Sequence, residues 1–201
     1  MSGNKSIEEY FNLDEFINQV KVDLTQQIEK SPIMDSNLAT YYRDAVALFE
    51  VDPSATSLGD LIDYSVSLEA VWAYRLAHQY WKMDEKHLAL KISYLSKKST
   101  GVEIHPRAVI DESFAIDHGS GTVVGEDTVI GKNVVLYQGV TLGARRPHDA
   151  KNRYKGDLPE KRHPTLEDDV VVYAGAKILG PITIPKGTII GANKVVSSLP
   201  V

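Results

Sequence analysis

Three histidines in the second half of the chain stand in settings that suit proton transfer or ligand binding. They are His105 in Glu103-Ile-His-Pro, His118 in Ile116-Asp-His-Gly-Ser-Gly, and His163 in Arg162-His-Pro. An imidazole is the side chain best matched to take a proton at neutral pH, and when positioned it raises a rate by roughly 10²–10⁴. His118 follows Asp117 and precedes Gly119 and Gly121, which thin the chain around it. Taken alone it is either a base facing a ligand or a surface histidine at a bend. Three histidines also raise the question of zinc, although Pro106 and Pro164 directly follow two of them. Residues 143–165 form a long polar segment rich in Arg, Lys and His. By composition this is either a solvated loop or the contact for a phosphate-bearing ligand.

These residues sit in a repeat of six. Aliphatic residues recur at Val124, Ile130, Leu136 and Leu142, and again at Leu166, Val172, Ile178, Ile184, Ile190 and Val196. Ile104, Ile110 and Ile116 keep the same spacing upstream. A period of six fits neither a helix at 3.6 nor a lone strand at two. It predicts a parallel β-helix of triangular section, in which each hexad makes one short face and its aliphatic residue plugs the interior. Residues two places before the plugs are mostly small or β-branched (Val134, Val140, Val170, Ala176), as a narrow interior requires. From Ile116 to Val124 the chain takes eight residues rather than six, so a bulge or corner change is expected at His118. Residues 143–165 interrupt the repeat, and solenoids tolerate such insertions at coil corners, where they often bind something.

Upstream of the repeat the pattern is helical. Helices are expected over residues 7–30, over 37–50 with Asn37 as a cap, after the turn Asp52-Pro53-Ser54, over 67–81 and over 85–96. The fourth of these is apolar on more than one face, which suggests burial on two sides, as at an oligomer interface. The fold class is therefore α+β. An N-terminal all-α domain (1–100) precedes a left-handed parallel β-helix of hexapeptide repeats (101–201) with an inserted loop at 143–165.

The 201 residues carry a net charge of −5, 43% hydrophobic residues and no cysteine. That balance gives no reason to expect nucleic acid or an anionic membrane as partner. The lack of cysteine excludes disulfides and thiolate metal sites and permits a reducing compartment. Nothing resembles a signal peptide and no apolar run is long enough to cross a bilayer, so a cytoplasmic location is expected.

Five segments in order resemble the signatures of the serine O-acetyltransferases: Glu103-Ile-His-Pro, Ile116-Asp-His-Gly-Ser-Gly-Thr-Val-Val-Gly-Glu, Gln138-Gly-Val-Thr-Leu-Gly, Lys161-Arg-His-Pro-Thr and Ala174-Gly-Ala-Lys-Ile-Leu-Gly. Asp52-Pro-Ser-Ala resembles the family's Asp-Pro-Ala motif, so the resemblance covers about residues 52–201. It implies transfer of acetyl from acetyl-CoA to the hydroxyl of L-serine, as in cysteine biosynthesis, by direct attack with His118 as general base and no metal. The family's orienting aspartate aligns with Glu103, a departure that retains a carboxylate. Asp52 and Asp117 match positions that hold the amino group of serine, and Arg162 and His163 match those around its carboxylate. A zwitterion needs just such anions at one end and a guanidinium fork at the other. Gly143, Ala144, Ala174, Gly175 and Lys177 correspond to the pantetheine groove.

The resemblance further implies a homotrimer or a dimer of trimers, with active sites between subunits, and L-cysteine as feedback inhibitor. O-acetylserine sulfhydrylase is an expected partner only if a C-terminal tail is present in the full-length protein, because the chain stops at Val201, which suggests truncation. The 143–165 loop is longer than in many members. Two rival readings stand beside this one: an acetyltransferase of the same architecture with a sugar or xenobiotic acceptor, and a non-catalytic or zinc-binding β-helix using His105, His118 and His163.

Overall fold

The computed structural model describes residues 38–145 and 161–198. The helix expected over 7–30, the Asn37 cap and most of the inserted loop lie outside the described residues. Among the described residues four helices come first: α1 (Leu38–Val51), α2 (Leu58–Tyr64), α3 (Val66–Lys82) and α4 (Lys86–Thr100). Ser57 starts α2 by accepting from the Asp60 amide, and Ser65 starts α3 by accepting from the Leu68 amide. α4 stops at Gly101, whose left-handed φ of 71° returns its N–H to the Lys97 carbonyl.

The two-sided burial expected for the fourth helix is met within the chain. Ala70, Val71 and Tyr74 of α3 join the interior of the β-helix, while Ala73, Leu76, Ala77 and Tyr80 pack on Leu88, Ala89 and Ile92 of α4. Leu68 and Trp72 meet Tyr41, Ala45 and Leu48 of α1. The apolar faces of α3 are thus covered in cis and give no argument for an oligomer.

Thirteen strands of two or three residues follow, β1 (Glu103–Ile104) to β13 (Val195–Val196). They form three parallel sheets, one per face of a left-handed β-helix. The first face is β1-β4-β7-β10-β13, the second β2-β5-β8-β11 and the third β3-β6-β9-β12. Each expected plug is the inward residue of its strand. On the first face Ile104, Val124, Leu142, Ile178 and Val196 lie in register. The plugs from Ile104 to Ile184 are buried, each contributing roughly 1.5–3 kcal/mol.

A buried ion pair fastens the helices to the first coil. Arg75 on α3 donates to both carboxylate oxygens of Asp44 on α1, at 2.9 and 3.0 Å, and to the carbonyls of Ile110 and Asp111. Asp44 in turn accepts from the Phe114 amide at 3.0 Å. Removing either partner would leave an uncompensated buried charge, at a cost of about 3–5 kcal/mol. This clamp fixes where the end of α1, and so Asp52, stands relative to the coils.

Candidate active site

The chain turns from the third face to the first through residues 117–122, and the register slip expected there is a tight corner. Gly119 donates to the Asp117 carbonyl at 2.7 Å and Gly121 to the Gly101 carbonyl at 3.0 Å. His118 takes a left-handed φ of 59° and projects outward, its side chain 73% exposed. Gly119, at φ 83°, admits no side chain: a Cβ there would lie 3.0–3.2 Å from Val102, Ile116 and Ser67. The corner therefore seats directly against the start of α3.

Between this corner and α1, α2 and α3 lies a cleft of about 340 Å³, lined among others by Asp52, Ser54, Asp60, Tyr64, Asp117 and His118. Asp52, just past the end of α1, accepts from the Ser54 hydroxyl at 2.6 Å and the Ser54 amide at 2.8 Å. Those two bonds, with a smaller contribution from facing His118, hold its carboxyl below the usual range. Asp117 lies with Oδ1 4.0 Å from His118 Nε2. Two carboxylates and an imidazole thus share one opening, a setting for an ammonium group and a proton to be removed.

A second cluster occupies the corner between the first and second faces. His163, at the end of the insertion, is buried and places Nδ1 2.6 Å from Asp127 Oδ1. Arg162 donates to Glu126 Oε2 at 2.7 Å, and Arg107 donates to the other Glu126 oxygen at 2.9 Å. Gly125 makes room for His163, since a Cβ there would come within 2.0 Å of its ring. His105 stands at the same corner, accepting at Nδ1 from the Arg107 amide and packed edge-on to Trp81. Burial lowers its pKa below the ordinary histidine value, which suits a neutral, structural imidazole.

No protein-family model matches the sequence. Curated relatives do. The chain is 46% identical over 153 residues to a serine acetyltransferase of Bacillus pumilus (76% of this chain, 66% of the relative). It is 45% identical over 153 residues to that of Staphylococcus epidermidis (76% and 67%). Among solved structures it is similar to a serine acetyltransferase in complex with cysteine (TM-score 0.73, 32% identity, 91% of this chain and 68% of that one). It is likewise similar to the Neisseria gonorrhoeae serine acetyltransferase in complex with serine (TM-score 0.73, 31% identity, 92% and 68%). A third is a serine acetyltransferase in complex with CoA (TM-score 0.72, 30% identity, 94% and 73%). The chain belongs to the serine acetyltransferase family. Its matched segment spans 66% of the Bacillus relative, just under two thirds.

Against that family, the residues expected at the site fall into two groups. Asp52, Asp117 and His118 meet in one cleft, whereas Arg162 and His163 sit across the first face at the opposite corner. Within one chain a molecule the size of serine cannot touch both. His118 is also separated from His105 and His163, so the three do not converge, and among the described residues no group of three or more His, Asp or Glu is arranged to hold a metal. Glu103 lies on β1, where its carboxylate accepts from Lys97. Among the described residues no hydrogen bond joins Glu103 to His118, and the carboxylate beside that imidazole belongs to Asp117.

The five groove residues divide in the same way. Ala174 and Gly175 are at the His118 corner of the third coil, followed by Lys177 on β10 (Lys177–Leu179), while Gly143 ends β7 (Thr141–Gly143) and Ala144 follows it at the His163 corner. Gly175 takes φ 72°, and a Cβ there would meet Asn193 Oδ1 at 2.2 Å, so this stretch of wall stays flat. Lys177 donates to the Gly139 carbonyl. Ser54, Gly125, Glu126 and Asp127 were not expected from the sequence. For Gly125, Glu126 and Asp127 the signal lay in the register: once Ile130 is paired with Leu166, Asp127 falls beside His163 across the insertion.

Proposed function

We propose that the chain transfers acetyl from acetyl-CoA to the hydroxyl of L-serine, giving O-acetyl-L-serine and CoA. The observation that carries this is the convergence of Asp52, Asp117 and His118 in one cleft. Asp52 and Asp117 hold the ammonium group of serine, and His118 Nε2 takes the hydroxyl proton. The oxygen attacks the thioester carbonyl, the C–S bond breaks, and the departing CoA thiolate takes a proton back from the imidazolium. Glu103, engaged by Lys97 in the single chain, is the proposed orienting carboxylate, with Asp117 nearer at hand. Related serine acetyltransferases bound to serine, cysteine and CoA support the substrate, the inhibitor and the donor.

The remaining half of the acceptor site, Arg162 and His163, comes from a neighbouring copy whose His163 corner meets the first copy's His118 corner. The same meeting brings Gly143 and Ala144 of one copy to Ala174, Gly175 and Lys177 of the other, making the groove for pantetheine. A trimer, or a dimer of trimers, is the assembly we propose, and this division of the site supports a shared interface. L-Cysteine keeps both charged ends of serine and competes with it.

The test is CoA release with L-serine, ethanolamine and a neutral sugar alcohol as acceptors. L-Serine is expected to be preferred, because ethanolamine leaves the Arg162 guanidinium without its carboxylate. Equal use of ethanolamine or the sugar alcohol would refute the amino-acid assignment.

A further inference from the structure

The backbone of Arg162 and both the backbone and the ring of His163 are held by one residue, while the Arg162 guanidinium goes to Glu126. The Asp127 carboxylate accepts from His163 Nδ1 at 2.6 Å, from the His163 amide at 2.7 Å and from the Arg162 amide at 3.0 Å. Its carbonyl accepts from Lys161 Nζ at 2.6 Å. Three consecutive residues at the return of the insertion are therefore fastened to a single position on the coil below. Burial would raise the Asp127 carboxyl, but the bonds from Arg162 and His163 outweigh it and hold the carboxyl below its ordinary value. An ionised carboxylate only accepts, so the hydrogen between the two groups is on His163 Nδ1. That leaves Nε2 as the ring nitrogen available to a ligand, with the ring seated against Gly125, where no side chain competes for the space.

We propose that Asp127 is a positioning residue of the acceptor site, fixing His163 with Nδ1 protonated and Nε2 reserved for the acceptor, and setting the backbone of Arg162 beside it. This rests on the reading that Arg162 and His163 meet the carboxylate end of serine. It adds a residue that touches no substrate but decides how one of its contacts is presented, as an outer carboxylate does for a ligating histidine.

The experiment combines a spectroscopic arm and a kinetic arm on the full chain. In the first, ¹⁵N-histidine spectra of the parent protein report which ring nitrogen of His163 carries hydrogen, and protonated Nδ1 is expected. A His163 protonated on Nε2 alone overturns the proposal, and this arm needs neither a variant nor a substrate. In the second, Asp127→Asn raises the KM for serine roughly ten-fold, the size of coupling found between groups in one network, with kcat and the KM for acetyl-CoA nearly unchanged. On a His163→Gln background the same substitution no longer alters the serine KM. If its full effect persists there, Asp127 acts only as a fold staple and the proposal falls. Should the parent acetylate no serine at all, the functional reading fails by itself, and the ring-nitrogen result still decides whether Asp127 sets the state of His163.

Discussion

Replacing Gly125 by alanine puts one methyl group where the His163 ring already is. The added Cβ would lie 2.0 Å from Cδ2, 2.3 Å from Nε2 and 2.8 Å from Cγ of that ring, far inside van der Waals contact. The ring cannot slide aside freely, because Nδ1 is held 2.6 Å from Asp127 and the His163 amide is bound to the same carboxylate. Two routes remain. Overpacking with the ring in place costs about 1–3 kcal/mol, and swinging the ring out forfeits a charge-assisted hydrogen bond of about 1.5–3 kcal/mol. Whichever route is cheaper, the folded state loses roughly 1–3 kcal/mol, which for a chain of this length lowers Tm by about 2–12 °C. Gly125 is not among the positive-φ glycines, so no backbone strain adds to the effect. Differential scanning calorimetry gives the melting shift, and serine kinetics on the folded variant should show a raised KM. A Gly125→Ala protein that melts with its parent and binds serine equally well would refute the placement of His163 over Gly125.

Three further outcomes are expected. His118→Ala lowers kcat by roughly 10²–10⁴ with the melting temperature kept, since the exposed ring carries no packing; near-full turnover would remove the general-base role. Arg162→Ala weakens L-serine and L-cysteine together, by about 1.5–3 kcal/mol for a lost charged contact, and leaves ethanolamine use little changed; steady-state kinetics and inhibition constants check this. The Asp127 carboxyl is lowered from its ordinary 3.8 in the fold, so its stabilisation is fully present above that value and is lost as pH falls through the lowered one. Urea midpoints measured from pH 7 downward should therefore fall less steeply on the acid side in Asp127→Asn than in the parent.

The coils were legible because a plug every six residues leaves its mark in one dimension. Ile104, Ile110 and Ile116, then Val124 to Val196, are the inward residues of their strands, and the eight-residue step predicted the bend that projects His118. The helices α1, α3 and α4 were legible by their apolar spacing, but what covers α3 was not. Periodicity states that Val71, Trp72 and Leu76 are buried without naming the surface they meet. At the site, residue type and spacing suggested His118, and the family resemblance suggested Asp117 and Arg162. Their partners depended on which coil lies beneath which, and the insertion hid that register. Asp127 lies 36 positions before His163 in sequence, and only the pairing of β5 (Val129–Ile130) with β8 (Thr165–Leu166) brings them together. Glu103 shows the opposite effect, since its motif suggested an orienting role for His118 while the approach of α4 supplies Lys97 as its ion-pair partner.

Subunit mixing decides whether one active site is built from the His118 corner of one copy and the His163 corner of the next. His118→Ala and Arg162→Ala chains, each purified alone, should release CoA from acetyl-CoA and L-serine far more slowly than the parent. When the two are co-expressed in equal amounts, about one quarter of the sites in randomly assembled cyclic oligomers would join an intact His118 to an intact Arg162 from different chains. Recovery toward that fraction of parental activity is expected. Mixed oligomers no more active than the two variants summed would contradict it, placing both halves of the site in a single chain.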